Sequence, residues 1–486
     1  MAFFSRLTAE AYGGVTRVTP QYGCLMPSLY CADVALLLSS GRRPADAMII
    51  ILFKVVIALG TGLLGAGVLR TRVMELPESS FLGWAVGLQL VPALALFLAL
   101  YVLGHQEPTS DVPAYYLPAA HAALQGQVPF RDFTTSYAPL FPYVGAALVS
   151  IWDSGKMFAL FDIALNAAGL LLWHQTAKGC LDRPVTRQTT VLYATSGHAV
   201  VQALLGTNQA WISFGLGASA LLMATERHFA AGLAQAATAC VTKVLTHLFW
   251  PVLWIFTPRR FSFLLGAVVP TLAVYAGFAL LSTGEGLLYP LSHEGGLISS
   301  GNLPYLLDPI LSANSRTERL VVDTLTLAAL ATTVGWLYLR TRTLQPDRRP
   351  RVLLAGLALT ALVFMIFSKK SFTGYLIFVM YPVVATAVTG LGNRLAKAGF
   401  LIGFNALLVA EPSLWFRLDG FDRGGLRAWF ATGGGTAAMG LVAVDLALIG
   451  CYVYLAWMSV RWVERTADGA IAARNVSQSA TACSLV

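Results

Sequence analysis

The residues best placed to do chemistry lie between two apolar runs, in the segment His105-Gln-Glu-Pro-Thr-Ser-Asp111-Val-Pro-Ala-Tyr115-Tyr116-Leu-Pro-Ala-Ala-His121. It continues through Gly126-Gln-Val-Pro129-Phe130-Arg131-Asp132-Phe133 to Tyr137-Ala-Pro139-Leu-Phe-Pro142-Tyr143. A carboxylate here can take the proton of an attacking hydroxyl, which becomes acidic only as its new bond forms. Asp111 is the first candidate for that role and Asp132 its rival. Asp111 also precedes Val-Pro-Ala, so it suits a helix N-cap followed by a first-turn proline, and both roles can hold together. Tyr115 and Tyr116 suit stacking on a ligand or anchoring at a membrane interface, and Tyr137 joins them as a candidate ligand contact. Arg131 beside Asp132 makes either a local ion pair that stiffens a turn or a pair of contacts to substrate.

The cations that match such a carboxylate lie further along the chain. Lys369 and Lys370 form a tight basic pair in a very short loop between apolar runs. Such a pair can hold a phosphate, although lysines at helix ends also snorkel. Lys243, with His247 one turn later, sits among apolar residues, where an ionisable side chain is a functional hypothesis by default. Other signals have plainer readings. Gly60-Thr-Gly62-Leu-Leu-Gly65 matches a dinucleotide fingerprint letter for letter, but lies inside an apolar helix, where small residues serve close helix packing. His293-Glu294 are two adjacent metal-ligand types in a polar loop. The six cysteines have no zinc-like spacing and imply no disulfide framework. Asn475-Val-Ser477 is a glycosylation triplet on an expected cytoplasmic tail, where it would not be used.

The elements that position these residues must be membrane helices. Of the 486 residues, 56% are hydrophobic and only 12% charged, with a mean hydropathy of +0.66; soluble domains carry about a quarter charged residues. The apolar runs are continuous rather than alternating, so helices and not a barrel satisfy the backbone in lipid. Spans are expected near 47–69, 81–103, 157–175, 188–205, 209–225, 261–282, 319–340, 351–368, 372–390, 396–412 and 436–460. A short helical pair near 228–243 and 244–257 and an interfacial stretch at 137–152 complete the set. The formal charge of +9 lies in short loops, which reads as positive-inside orientation rather than nucleic-acid binding. Loops holding Arg70 and Arg72; Lys178, Arg183 and Arg187; Arg227; Arg259 and Arg260; and Arg394 and Lys397 would face the cytoplasm. The longer loops 104–156, 283–318 and 413–435 would face the other side. The start of the chain lacks the order of a cleavable signal peptide. Residues 1–46 have no assigned fold, 47–80 read as an extra span and cytoplasmic loop, 81–460 as the main membrane domain, and 461–486 as a cytoplasmic tail. The pair Arg42-Arg43 conflicts with an outside N-terminus, so 47–69 could instead be an appended or interfacial helix.

The pattern D-x-x-x-Y-Y…L-x-G-x-x-P-F-R-D-F…Y-x-P-L-x-P-Y resembles the first non-cytoplasmic loop of the GT-C superfamily, multispanning glycosyltransferases that use polyprenyl-phosphate sugars. The branch dependent on polyprenol-phosphate-mannose is the most similar. Ser154-Gly155-Lys156, Thr242-Lys243 and Ser368-Lys369-Lys370-Ser371-Phe372 with Tyr375 are similar too. The resemblance runs over about residues 81–412, although its sharp motif covers only the loop. It implies an all-α fold of about 12–13 transmembrane helices with interfacial helices in the first long loop. It also implies inverting transfer of a hexose, mannose first, from a polyprenyl-phosphate donor to a lipid or glycan acceptor. By position Asp111 matches the family's loop aspartate and would be the base. Tyr115, Tyr116, Arg131, Asp132, Tyr137, Lys243, Lys369 and Lys370 would contact substrate. No cofactor is called for, and a divalent metal is compatible with a phosphate leaving group but not indicated. The expected setting is a bacterial inner membrane, with the site facing the periplasm or exterior. The alternative is a polytopic transporter or flippase for a lipid-linked or small polar substrate. Transporters tend to show repeated halves and mid-membrane sites, and neither is evident in the sequence.

Overall fold

The computed structural model describes residues 44–108, 111–282, 286–290, 298–311, 316–342, 344, 349–418, 426, 431 and 435–483. His293, Glu294 and most of the N-terminal segment 1–46 lie outside the described residues. Every named element is helical. The first, α1, is Pro44–Val68 and α2 is Glu78–Leu103. Then come the short α3, Leu117–Leu124, and α4, Phe141–Ile151, followed by α5, Lys156–Lys178. The central group is α6, Arg183–Ala194, α7, Gly197–Leu204, α8, Gln209–Ala224, and α9, His228–Val241. After 3-10 turns over Val244–Phe249 come α10, Trp250–Phe256, and α11, Arg260–Leu281. The C-terminal half holds α12, Leu303–Leu311, α13, Arg316–Thr341, and α14, Arg349–Phe367. A 3-10 segment, Thr373–Val379, leads into α15, Met380–Gly390, and then α16, Arg394–Leu418, and α17, Gly435–Cys483.

Nine of the described helices are long and apolar enough to cross a membrane, so the chain is an all-α integral membrane protein. The expected spans that miss this mark do so for local reasons. The run 188–205 breaks at Thr195-Ser196-Gly197. There Ser196 leaves helical geometry, its hydroxyl accepts the Ala199 amide at 3.3 Å, and it donates to Asn405 at 2.6 Å. Asn405 also accepts the His198 amide at 3.1 Å, so the break is held by α16. The stretches at 209–225, 228–243 and 244–257 form α8, α9 and α10 with its preceding turns, all too short to qualify. At the C-terminus the helix runs on past 460 to Cys483, because the alanine-rich sequence beyond Arg461 contains no proline to stop it.

The glycines of α1 are packing residues. A Cβ on Gly62 would lie 2.7 Å from Ile402 of α16, and one on Gly65 would lie 2.1 Å from the Thr195 hydroxyl. From the other side, a Cβ on Gly197 would come within 2.2 Å of the Ala58 backbone. Lys54 near the start of α1 reaches Ser413 near the end of α16 at 3.5 Å, and Arg394 at the start of α16 donates to Leu69 O at 3.1 Å. The two helices are therefore antiparallel, and α1 belongs to the bundle rather than being appended to it. Gly197→Ala is expected to lower the thermal unfolding temperature of the detergent-solubilised protein, at a cost of about 1–3 kcal/mol from overpacking against backbone. An unchanged melting temperature would remove α1 from the folded core.

Candidate functional site

The loop after α2 is held against α5 by small, specific contacts. Glu107 pairs with Lys156 at 3.1 Å, and Ser154 donates to Glu107 at 3.3 Å. Gly155 lets Val112 approach so closely that a Cβ there would lie 2.8 Å from it. The Ser154-Gly155-Lys156 motif thus fixes the segment that carries Asp111. Asp111 opens a helical turn, but its side chain makes no capping bond. The carboxylate is buried and accepts from the Tyr137 hydroxyl at 2.5 Å, while its Oδ1 has no hydrogen-bond partner among the described residues.

Tyr137 is placed by backbone pairing with the end of α9. The Ala138 amide donates to Thr242 O at 3.0 Å and the Leu140 amide to Cys240 O at 2.9 Å. At Thr242 the helix stops, and Lys243 adopts extended backbone before the next turns. The Lys243 ammonium consequently enters the same space, 3.9 Å from Asp111 Oδ2, 4.9 Å from the Tyr137 ring and 5.5 Å from the Tyr375 ring. Burial pushes the Lys243 pKa down and the Asp111 charge pulls it back up. Burial, then the Asp111 charge, raises the Tyr137 phenol well above its usual range, so it remains a donor.

Lys370 arrives from the loop between α14 and α15. That loop is tied internally by Ser371, which donates to Met365 O at 2.8 Å, and externally by the Ser299 amide, which donates to Lys369 O at 2.8 Å. Asn302 braces this contact, donating to Ser299 O at 2.7 Å and accepting the Tyr305 amide at 2.9 Å as the cap of α12. Burial and the neighbouring Lys243 charge push the Lys370 pKa well down, with Asp111 opposing them.

These residues line a cleft of about 900 Å³ counted to its open mouth, shared by Asp111, Tyr115, Tyr137, Lys243 and Lys370. A second, more apolar groove of about 1230 Å³ lies beside it, lined by Leu245, Leu248, Leu327, Leu330 and Phe364. Lys243, Lys370, Ser136 and Tyr375 border both.

The remaining expected residues stand elsewhere. Lys369 points into the apolar groove, where it pairs with Asp323 at 2.6 Å. Tyr116 is fully buried among Tyr137, Phe141 and Phe158, and its hydroxyl accepts the Asn208 amide at 3.1 Å. Its neighbour Tyr115 faces the cleft, where burial and then Asp111 raise its phenol to about 12. Arg131 and Asp132 form an exposed pair at 2.7 Å that lines neither cavity. Asp132 also accepts the Val128 amide at 2.7 Å, which together with Arg131 holds its carboxyl down at about 2. This pair fastens the turn in which Phe130 takes a φ of 66°, a conformation that costs a bulky residue on the order of 1–3 kcal/mol.

Several cleft residues carry no motif. Glu411, on α16, is buried at the cleft wall and accepts the Ser300 hydroxyl. Gln202, Gln209, Thr373 and Trp415 complete the polar and aromatic lining. An acidic residue inside the apolar run 396–412 was a readable signal for Glu411; the glutamines and Trp415 reach the cleft only through helix packing. Among the described residues no three His, Cys, Asp or Glu side chains gather as a metal site. Searches against known proteins matched no family model and no curated protein.

Proposed function

We propose that the chain is a GT-C-like membrane glycosyltransferase that moves a hexose, mannose first, from a polyprenyl-phosphate carrier to a lipid or glycan acceptor. The observation that carries this reading is the position of Lys243 and Lys370 on the border between a polar cleft and an apolar groove. A lipid-linked sugar has that partition: an isoprenoid chain for the groove, an anionic phosphate for the two ammonium groups, and a polyhydroxylated ring for the cleft with Asp111. In the proposed reaction the acceptor oxygen attacks the anomeric carbon from the face opposite the phosphate, and Asp111 takes its proton. The bond from anomeric carbon to phosphate oxygen breaks with its electron pair, so the phosphate gains a negative charge beside Lys243 and Lys370. Charge placed where charge develops is the largest usual catalytic contribution. Tyr115 flanks the sugar, and Tyr137 holds the Asp111 carboxylate in place.

In this reading the basic loops face the cytoplasm and the cleft faces the other side, in a bacterial inner membrane, where nucleotide sugars are absent and a lipid-delivered donor is needed. The test is transfer of label from radiolabelled polyprenyl-phosphate mannose into membrane lipids and glycans by membranes that contain the protein. No transfer with mannose, glucose or arabinose donors would reject the reading in favour of a transporter. Asp132→Asn is expected to leave transfer within about fivefold of wild type, since loss of an exposed ion pair is worth at most about 1 kcal/mol. A loss as deep as that of an Asp111 variant would return Asp132 to the reaction.

A further inference from the structure

A second concentration of charge lies at the opposite end of the bundle from the cleft. The cleft gathers at the end of α2, the start of α5, the end of α14 and the last turns of α16. The turn after α1, the start of α6 and the start of α16 meet at the other end. There Arg70, Arg72, Arg183, Arg187 and Arg394 line one concavity of about 960 Å³ counted to its mouth. They come from three segments far apart in sequence, so their convergence is a product of the fold and not of one basic loop.

The charges are poorly balanced. Arg187 is buried, donates to Met74 O at 2.8 Å and pairs with Glu78 at 3.0 Å, while its Nε has no hydrogen-bond partner among the described residues. Among the described residues Arg394 and Arg183 donate only to backbone, to Leu69 O at 3.1 Å and Leu76 O at 3.5 Å. Neither they nor the exposed Arg70 and Arg72 have an ion pair among the described residues, and Glu75, the acid lining the concavity, has none either. Inward-facing arginines satisfy the positive-inside tendency wherever they lie along the loops. Gathering five of them around one concavity, with Glu75 and a Glu78 already shared with His174 and Lys178 as the nearby acids, leaves an excess of positive charge that an anion would relieve. Guanidinium groups present forked donors that match phosphate oxygens in pairs. The site begins where the apolar ends of α1 and α2 stop, the level at which lipid headgroups lie.

We propose that this concavity binds a phosphate group, supplied either by an anionic lipid of the facing leaflet or by a soluble phosphate compound, and that it does so independently of the proposed sugar transfer. The test uses the full chain in phosphatidylcholine nanodiscs. Retention of added phosphatidylglycerol is followed by native mass spectrometry, and binding of inorganic pyrophosphate by titration calorimetry. The concavity variant is Arg70→Gln, Arg72→Gln and Arg183→Gln together, chosen because these side chains are exposed and bear little of the fold. The control is Arg259→Gln, Arg342→Gln and Arg465→Gln, which removes equal charge at the same end but outside the concavity.

Retention of phosphatidylglycerol that falls at least about tenfold in the concavity variant and holds in the control identifies a lipid headgroup. The same pattern with pyrophosphate identifies a soluble ligand. Equal weakening in both variants would reduce the effect to general surface charge and overturn the site, as would no binding of either ligand by the wild type. Arg72→Glu alone supplies a check on folding, because a single exposed reversal should weaken binding without changing the melting temperature.

Discussion

Asp111→Asn is expected to lower sugar transfer by about 10²- to 10⁴-fold, the usual worth of a positioned proton acceptor, with little change in melting temperature or in KM for the donor. The substitution is nearly isosteric and keeps an oxygen that can accept the Tyr137 hydroxyl, now at 2.5 Å. What disappears is the capacity to take a proton at the oxygen that has no hydrogen-bond partner among the described residues. Because the acceptor hydroxyl becomes acidic only as it attacks, the loss falls on the chemical step and shows in kcat rather than KM. Measurement requires equal amounts of wild-type and variant protein in matched membranes, with label counted in both lipid and glycan fractions. Full activity would exclude Asp111 as the base. Glu411, the other carboxylate lining the cleft, would then be the residue to test, rather than Asp132, which lies outside it.

The pattern of what the sequence disclosed has a physical logic. Lys243 stood out as an ionisable residue among apolar ones, whose burial is costly, Lys370 as half of a basic pair in a very short loop, and Asp111 by its place in an elaborate loop after a span, all without any view of packing. Which member of an adjacent pair faces the site was not. Successive residues on a helix point about 100° apart, so Tyr115 faces the cleft while Tyr116 enters the aromatic core. Lys369 and Lys370 also separate, at a turn between two helices, one to Asp323 and the other to the cleft border. Asp323 belongs to a helix distant in sequence, and no spacing rule links it to Lys369. Glu411 was visible as an acid within an apolar run, but near its end, where it also reads as a helix-end residue, and only the fold brings it to the cleft wall. The break at Thr195-Ser196-Gly197 carried a helix-cap signal, but averaging hydropathy across it produced one span from two short helices. Long spans such as α2, α11 and α14 were placed to within a few residues, since length and apolarity are what lipid demands of them.

Removing either cation at the border of cleft and groove should cost about 10²- to 10³-fold in kcat/KM, the range seen when a preorganised group facing a developing negative charge is lost. Lys243→Met and Lys370→Met both preserve side-chain bulk while removing the ammonium. Both the bound donor and the departing phosphate need the charge, so KM should rise and kcat fall together. The pH dependence separates this reading from a structural one. Burial, and for Lys370 the neighbouring ammonium, hold these lysines below the ordinary 10.5. Between the folded value and 10.5 the unfolded chain binds more protons than the folded one, so stability from these groups rises with pH through that window. Donor binding goes the other way, because a neutral amine no longer attracts the phosphate. The wild type should therefore show a donor KM that climbs as pH rises below 10.5, over a range where its melting temperature gains rather than loses from these lysines. Lys370→Arg, whose charge does not titrate there, should move that alkaline limb upward while retaining part of the activity. An alkaline limb unchanged in Lys370→Arg and in both methionine variants would mean that neither lysine holds the phosphate, and the border between cleft and groove would lose its claim to be the donor site.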